Sequence, residues 1–258
     1  MNTVQTQTED WKTTFYDGMF RLQMSYLHQR LCREPWWGMD YGLANFTMLK
    51  AIARHAEGER YDLDDLAWRK TLAGCWDVLM RSRTAAERTV FVEDLWSRFG
   101  ERWLRAYPLF EAGLSQRSDY FGCFRYEHGS GDAAIVLHFQ NMAAPLSPLA
   151  DLDKRREDLR RIVQDVEGKQ LPVVCVRFDT WMNNLKPVLS LFPESFAHSL
   201  VPAEEFPKGY GWWGQFITRA GELHSRRAEL LMTQGRFEFA RLDGQCSWSE
   251  FKRCLVQN

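Results

Sequence analysis

The sequence predicts an α+β protein: an N-terminal helical lobe packed on a C-terminal sheet of about four strands with flanking helices, in the order β-β-α-β-α-β-α. From about residue 8 to 114, apolar residues recur at three- and four-residue spacing, and no stretch alternates strictly enough for a strand. After Ser118 short β-rich segments set in. No Ser/Gly-rich tether divides the chain, and residues 115–119 are too few for a free linker. Domains 8–118 and 119–258 are therefore expected to pack tightly, as two bodies or as one.

In the first helix Trp11, Phe15, Met19, Leu22, Tyr26 and Leu31 share one broad face, and Pro35 marks its stop. A second helix is expected over 43–55, ending near Gly58. A third spans 63–80 with Asp62 as N-cap, and a fourth spans 85–105, ended by Pro108. Four helices with short connections suggest a bundle.

In the second half, segments 120–127 and 133–140 form a hairpin around His128-Gly129-Ser130-Gly131-Asp132, whose glycines suit positive φ. An amphipathic helix over 151–166 follows the Pro145 to Pro148 connector. It carries Lys154, Arg155, Arg156, Arg160 and Arg161 beside Glu157 and Asp158. Residues 171–178 are apolar and β-branched enough for an interior strand. A short helix over 187–199 is interrupted or shifted by Pro193, and 213–218 is expected to be the fourth strand. Helices close the chain over 225–234 and 247–256, the latter opened by Ser247 with Glu250 three residues on, a capping-box spacing.

Composition excludes several classes. With 45% hydrophobic and 14% aromatic residues the chain can fill a core, so disorder is not its dominant state. The 33 basic and 34 acidic side chains give a net charge of −1 without long like-charge runs, which argues against nucleic acid as partner. The polar start lacks an apolar signal core, and charges interrupt every window near the roughly 20 apolar residues a spanning helix requires. Six scattered cysteines without C-x-x-C suit reduced thiols, and a cytoplasmic location with no membrane association is expected. No spacing supports zinc, calcium or di-iron, so no metal is expected, and neither a phosphate loop nor a G-x-S-x-G elbow is present.

Chemistry is expected where strands open into loops. His138 alternates with Leu137 and Phe139, so it shares a face with Gln140, beside Asn141. It reads either as a general base or as an ordinary half-buried histidine. Asp179, Trp181, Asn183 and Asn184 combine a carboxylate, amides and an aromatic ring, types that recognise amine or ring-bearing ligands, although asparagines also cap turns. Trp212, Trp213 and Gln215 mark a third segment. The triplets Trp36-Trp37-Gly38 and Trp212-Trp213-Gly214 are either two walls of one aromatic cleft or packing residues. The basic run on the 151–166 helix is a solvated face or, less in keeping with its interleaved acids, a nucleic-acid surface.

The order strand–strand–helix–strand–helix–strand over about residues 120–218, with Asn184 followed by Pro187-Val-Leu-Ser-Leu-Phe192, is similar to the second half of GNAT-type N-acetyltransferases. That resemblance implies acyl transfer from a CoA thioester, with Asn184 near the acyl donor. The chain departs from that pattern where those enzymes carry a Gly-rich turn for the pyrophosphate. Pro145, Pro148, Asp151 and Asp153 stand there instead, and two acids oppose a pyrophosphate.

Together these features lead to an expected soluble small-molecule enzyme, with acyl transfer to an amine-bearing metabolite as its reaction. His138 is the base, with Asp179, Asn183 and Gln215 orienting the substrate. The competing expectation is a non-catalytic binding or interaction protein whose tryptophans form the recognition surface. A small molecule is the expected partner in the first case, and a homo-oligomer is compatible with either.

Overall fold

A computed structural model describes residues 3–43, 46, 48–49, 52, 66–115, 119–129, 131, 133–143, 146–203 and 210–257. It contains helices and a mixed five-stranded sheet, an α+β fold. Among the described residues no helix is long and apolar enough to cross a membrane. The chain forms two compact units. One comprises Met1–Gln116, Glu205–Tyr210 and Glu222–Glu238; the other comprises Arg117–Glu204, Gly211–Gly221 and Phe239–Asn258. The first crossing falls beside the expected boundary at 118, but the chain then returns to the helical unit twice.

The helical unit is built on α1 (Thr3–Arg33), α2 (Leu66–Arg81), α3 (Arg88–Ser115) and α7 (Ser225–Gln234). Met19, Leu22, Tyr26 and Leu31 of the expected stripe are buried with Phe20 and Leu27. Buried Phe91, Leu95, Phe99 and Trp103 recur at four-residue spacing on α3. Trp103 Nε1 donates to the Tyr16 carbonyl at 2.9 Å, so the indole is matched as well as packed. Glu34 follows α1 directly and Pro35 opens a 3₁₀ turn, as expected of a helix stop. Pro108 does not end α3, which continues to Ser115: proline removes one amide donor, and the surrounding bonds carry the helix past it. The expected helix over 43–55 and the Asp62 cap lie largely outside the described residues.

His28 on α1 is 1% exposed and its Nε2 donates to the carbonyl of Ser82, just past α2. Burial pushes this imidazole below its ordinary value, against the opposing pull of that bond. The unfolded chain therefore binds a proton that the folded chain refuses, and stability falls as pH drops below the unfolded value of about 6.5. Melting curves should show a larger loss of thermal stability between pH 7.5 and 5 for the native chain than for His28→Gln. Equal losses would contradict this.

The sheet unit holds β1 (Phe124–His128), β2 (Ala134–Phe139), α4 (Leu152–Gly168), β3 (Cys175–Thr180), α5 (Lys186–Leu189), α6 (Glu194–His198), β4 (Val201–Pro202), β5 (Leu242–Ser247) and α8 (Trp248–Gln257). Its strand order is β1-β2-β3-β5-β4. The expected hairpin pairs β1 with β2 antiparallel, from Phe124 opposite Phe139 to His128 opposite Ile135. β2 runs parallel to β3, with α4 in the connection, while β5 runs antiparallel to both β3 and β4. Phe124, Ile135, Leu137, Val176, Phe178 and Cys246 line one face and meet Leu159, Ile162 and Val166 of α4, Phe196 of α6, and Phe251 and Leu255 of α8. This is the core of the unit. Pro193 separates α5 from α6, and Ser247 caps α8 with Glu250 bonded back to it at 2.6 Å.

Two strand expectations are corrected. Residues 213–218 are not a strand: Tyr210–Phe216 is a 3₁₀ helix. The buried positions fall as Trp212 with Gln215 and Trp213 with Phe216, three apart, which is the 3₁₀ repeat. The strand that pairs with β3 is β5, whose Leu-Asp-Gly-Gln-Cys-Ser has weak strand propensity. Gly244 is required there, because a Cβ would lie 2.4 Å from the Phe196 ring.

The arginines of α4 are engaged locally. Asp151 caps the helix by accepting from the Lys154 amide at 2.9 Å, Arg156 meets Asp153 at 2.8 Å, and Arg160 meets Glu157 at 3.4 Å and the Leu255 carbonyl at 2.8 Å. Arg155 and Asp158 form a buried pair at 2.9 Å, and Asp158 also accepts from the Cys123 amide at 3.1 Å. The chain passes so close that Gly122, at φ 61°, would place a Cβ 2.0 Å from Asp158 Oδ1. Gly122→Ala is expected to cost about 2–4 kcal/mol, combining backbone strain with displacement of a buried charge, read as a lower urea midpoint. A midpoint unchanged from the native chain would refute it.

Candidate functional site at one end of the sheet

Because β2 and β3 are parallel and β5 antiparallel, the carboxyl ends of β2 and β3 and the amino end of β5 come to one end of the sheet. Residues opposite one another on neighbouring strands share a face. Arg125 is opposite His138, and Asp179 is opposite Asp243. The pairing of Leu137 with Phe178, continued by one residue, sets His138 beside Asp179. Arg125, His138, Asp179 and Asp243 thus form a row across four strands, on the face opposite the apolar core.

His138 Nε2 lies 3.1 Å from Glu127 Oε2, and Arg125 Nη1 lies 2.6 Å from Glu127 Oε1. Burial raises the Glu127 carboxyl, but the bond from Arg125 and the neighbouring His138 outweigh it and hold the group below its ordinary value. Burial likewise opposes the Arg125 charge, and the Glu127 carboxylate overcomes it, raising the guanidinium. Glu127 is therefore a stable anion beside a half-exposed imidazole. A carboxylate at Nε2 favours the tautomer protonated there and leaves Nδ1 with its lone pair.

Asp179 forms an ion pair with Arg241, whose guanidinium stands 5.5 Å from the centre of the Trp212 ring. Burial pushes Arg241 down, while the Asp243 carboxylate acts in the opposite direction. The expected catalytic residues His138 and Asp179 therefore share one face and one row, each with an ionic partner.

Most of the expected substrate-binding amides have another role. Asn183 is buried, and its Nδ2 donates to the carbonyls of Phe178 and Leu242, both at 2.8 Å, tying β3 to β5. Asn184 Nδ2 donates to the carbonyls of Trp181 and Ala240, both at 2.7 Å. Gln215 is buried, with Nε2 donating to the carbonyls of Trp212 and Phe239 and Oε1 accepting from the Phe239 amide, each at 3.2 Å. These side chains clasp backbone. Asn141 Oδ1 accepts from the Ala143 amide at 3.1 Å and turns the chain after β2, while the backbone N–H of Gln140 continues the ladder by donating to the Cys123 carbonyl at 2.9 Å.

The tryptophans do not form an exposed surface. Trp213 is fully buried against Phe216 and Trp212 is 8% exposed. Trp181 stacks on Phe239 with ring centres 5.7 Å apart. Trp36 and Trp37 belong to the helical unit, where Trp36 is exposed and Trp37 Nε1 donates to Glu34 at 2.5 Å. The thiol at this end, Cys123, is buried and raised by that burial, while Cys175 and Cys246, also raised by burial, lie toward the other end of the strands.

Residues that sequence reasoning missed are Arg125, Glu127, Arg241 and Asp243. The first two were recoverable from the hairpin, since its register sets them beside His138. The others depended on β5, which low strand propensity concealed. The acetyltransferase resemblance took 213–218 as its last strand, where the chain forms a 3₁₀ helix instead. Comparison with protein-family models, curated proteins and solved structures returns no match to this chain.

The two asparagines should separate on truncation. Asn183→Ala leaves two buried carbonyls without their donor and is expected to cost about 2–4 kcal/mol, whereas exposed Asn184→Ala should cost about 1 kcal/mol or less. Urea titrations of both variants check the ranking, and an equal cost would undo the structural assignment.

Proposed function

We propose that the chain is an enzyme acting on a small molecule at this end of the sheet, with His138 as general base and Glu127 orienting it. The observation that carries this reading is the His138–Glu127 pair within the row Arg125, His138, Asp179 and Asp243. Glu127 stabilises the imidazolium that forms when Nδ1 takes a proton. The Asp179–Arg241 pair offers one acceptor and one donor group for orienting a substrate. Removing a proton from an ammonium group held there frees the nitrogen lone pair for attack on an acyl carbon. The new amide bond forms as the donor's own acyl bond breaks, and the proton held by His138 passes to the departing group, so acyl transfer to an amine-bearing metabolite is the reaction we favour. The acyl donor stays unassigned, because Asp151 already caps the amino end of α4 where a CoA pyrophosphate would be drawn. A reducing compartment such as the cytoplasm suits the reading, since all six cysteines are free.

Incubation with a pool of amine-bearing metabolites, with and without acetyl-CoA, followed by mass spectrometry, tests it. A product formed by the native chain should fall about 100-fold or more in His138→Ala and roughly tenfold in Glu127→Gln. No product from the native chain, or one formed equally by His138→Ala, overturns the reading.

A further inference from the structure

We infer that this sheet end takes an organic cation carrying several N–H donors, an amine or guanidinium compound. The inference rests on the site assigned above, though not on His138 acting as a base.

Among the described residues, three side-chain oxygens that only accept hydrogen bonds are buried there without a donor: Asn183 Oδ1, Gln140 Oε1 and Asp243 Oδ1. Asn183 is 1% exposed, and its two bonds from Nδ2 set the amide so that Oδ1 must be the free acceptor. Gln140 follows His138 by two residues and shares its face at the carboxyl end of β2. Asp243 lies opposite Asp179 at the amino end of β5. The parallel pairing of β2 with β3 and the antiparallel pairing of β3 with β5 bring all three to one end of the sheet. Buried acceptors are normally met by donors, and three left open at the ends of adjacent strands call for a ligand with several donors.

Charge points the same way. Like charges directly opposite on neighbouring strands repel, and Asp179 and Asp243 stand in that relation. Arg241 forms its ion pair with Asp179, and on the other side of the row Glu127 is met by Arg125 and His138. Arg241 also feels the Asp243 carboxylate but is committed to Asp179, so one guanidinium serves two carboxylates and an added cation near Asp243 would relieve the remaining repulsion. An anion would meet the carboxylates of Asp179 and Asp243 and the amide oxygens of Asn183 and Gln140.

Isothermal titration of the full chain with agmatine, spermidine and tryptamine tests this, with tetramethylammonium and succinate as controls. At least one of the three amines should bind saturably, while tetramethylammonium, which has the charge but no N–H, and succinate should not. Asp243→Asn should weaken binding about tenfold or more, and Gln140→Leu several-fold, in variants whose melting shows them folded. Should Asp243→Asn fail to fold, Gln140→Leu decides. No binding by any of the three amines, equal binding by tetramethylammonium, or native affinity in the folded variants overturns the inference. Binding that persists in His138→Ala without any His138-dependent turnover would defeat the catalytic reading alone. Turnover that needs His138 but responds only to anionic ligands would defeat this inference alone.

Discussion

A buried charge needs a partner, and in the sheet unit that requirement falls on Asp158. Its carboxylate is matched by Arg155 at 2.9 Å and by the Cys123 amide at 3.1 Å, with both side chains almost wholly buried. Removing either member would strand the other charge in low dielectric, at a cost of about 3–5 kcal/mol. The consequence reaches beyond the helix. The segment entering β1 must lie against the carboxylate, which leaves room for no side chain at residue 122. β1 is thereby aligned on α4, and α4 covers the apolar face of the sheet through Leu159, Ile162 and Val166.

With one face given to the core, the alternation of the strands sends Arg125, Glu127, His138, Arg177, Asp179, Asp243 and Gln245 to the other. Polar side chains at the sheet end then divide by what they touch. Asn183, Asn184 and Gln215 satisfy backbone carbonyls in the turns, which gives those turns one shape. His138, Asp179 and Asp243 remain on the strands and keep their chemistry toward the polar face. Strand positions are more rigid than loop positions, so the charged row is held by the same ladder that builds the core.

Local signals read well where one residue type has one reason to be present. The hairpin glycines, the interior β3 and the Ser247 cap each follow from turn chemistry, β-branching or capping. His138 was legible as a candidate because strand alternation places it away from Leu137 and Phe139, and Asp179 because it opens a polar segment at the end of the expected interior strand. The roles of Asn183, Asn184 and Gln215 were not legible, since an amide that binds a ligand and an amide that binds a backbone carbonyl have the same sequence. Tryptophan is equally ambiguous: Trp213 is buried in packing although its neighbourhood is as polar as that of a ligand-binding ring.

The sequence by itself determined the class of the fold, the hairpin, α4 and the closing helix. These rest on periodicity, turn residues and caps, which act between residues close along the chain. Only the tertiary structure decided that 213–218 coils as a 3₁₀ helix, that Leu242–Ser247 is the strand beside β3, and that Arg241 and Asp243 join the row at His138. β5 forms because β3 offers an edge and Phe196 leaves space only for Gly244, and neither condition is visible within those six residues. Strand pairing is a long-range interaction, so its outcome depends on neighbours that local propensity cannot name.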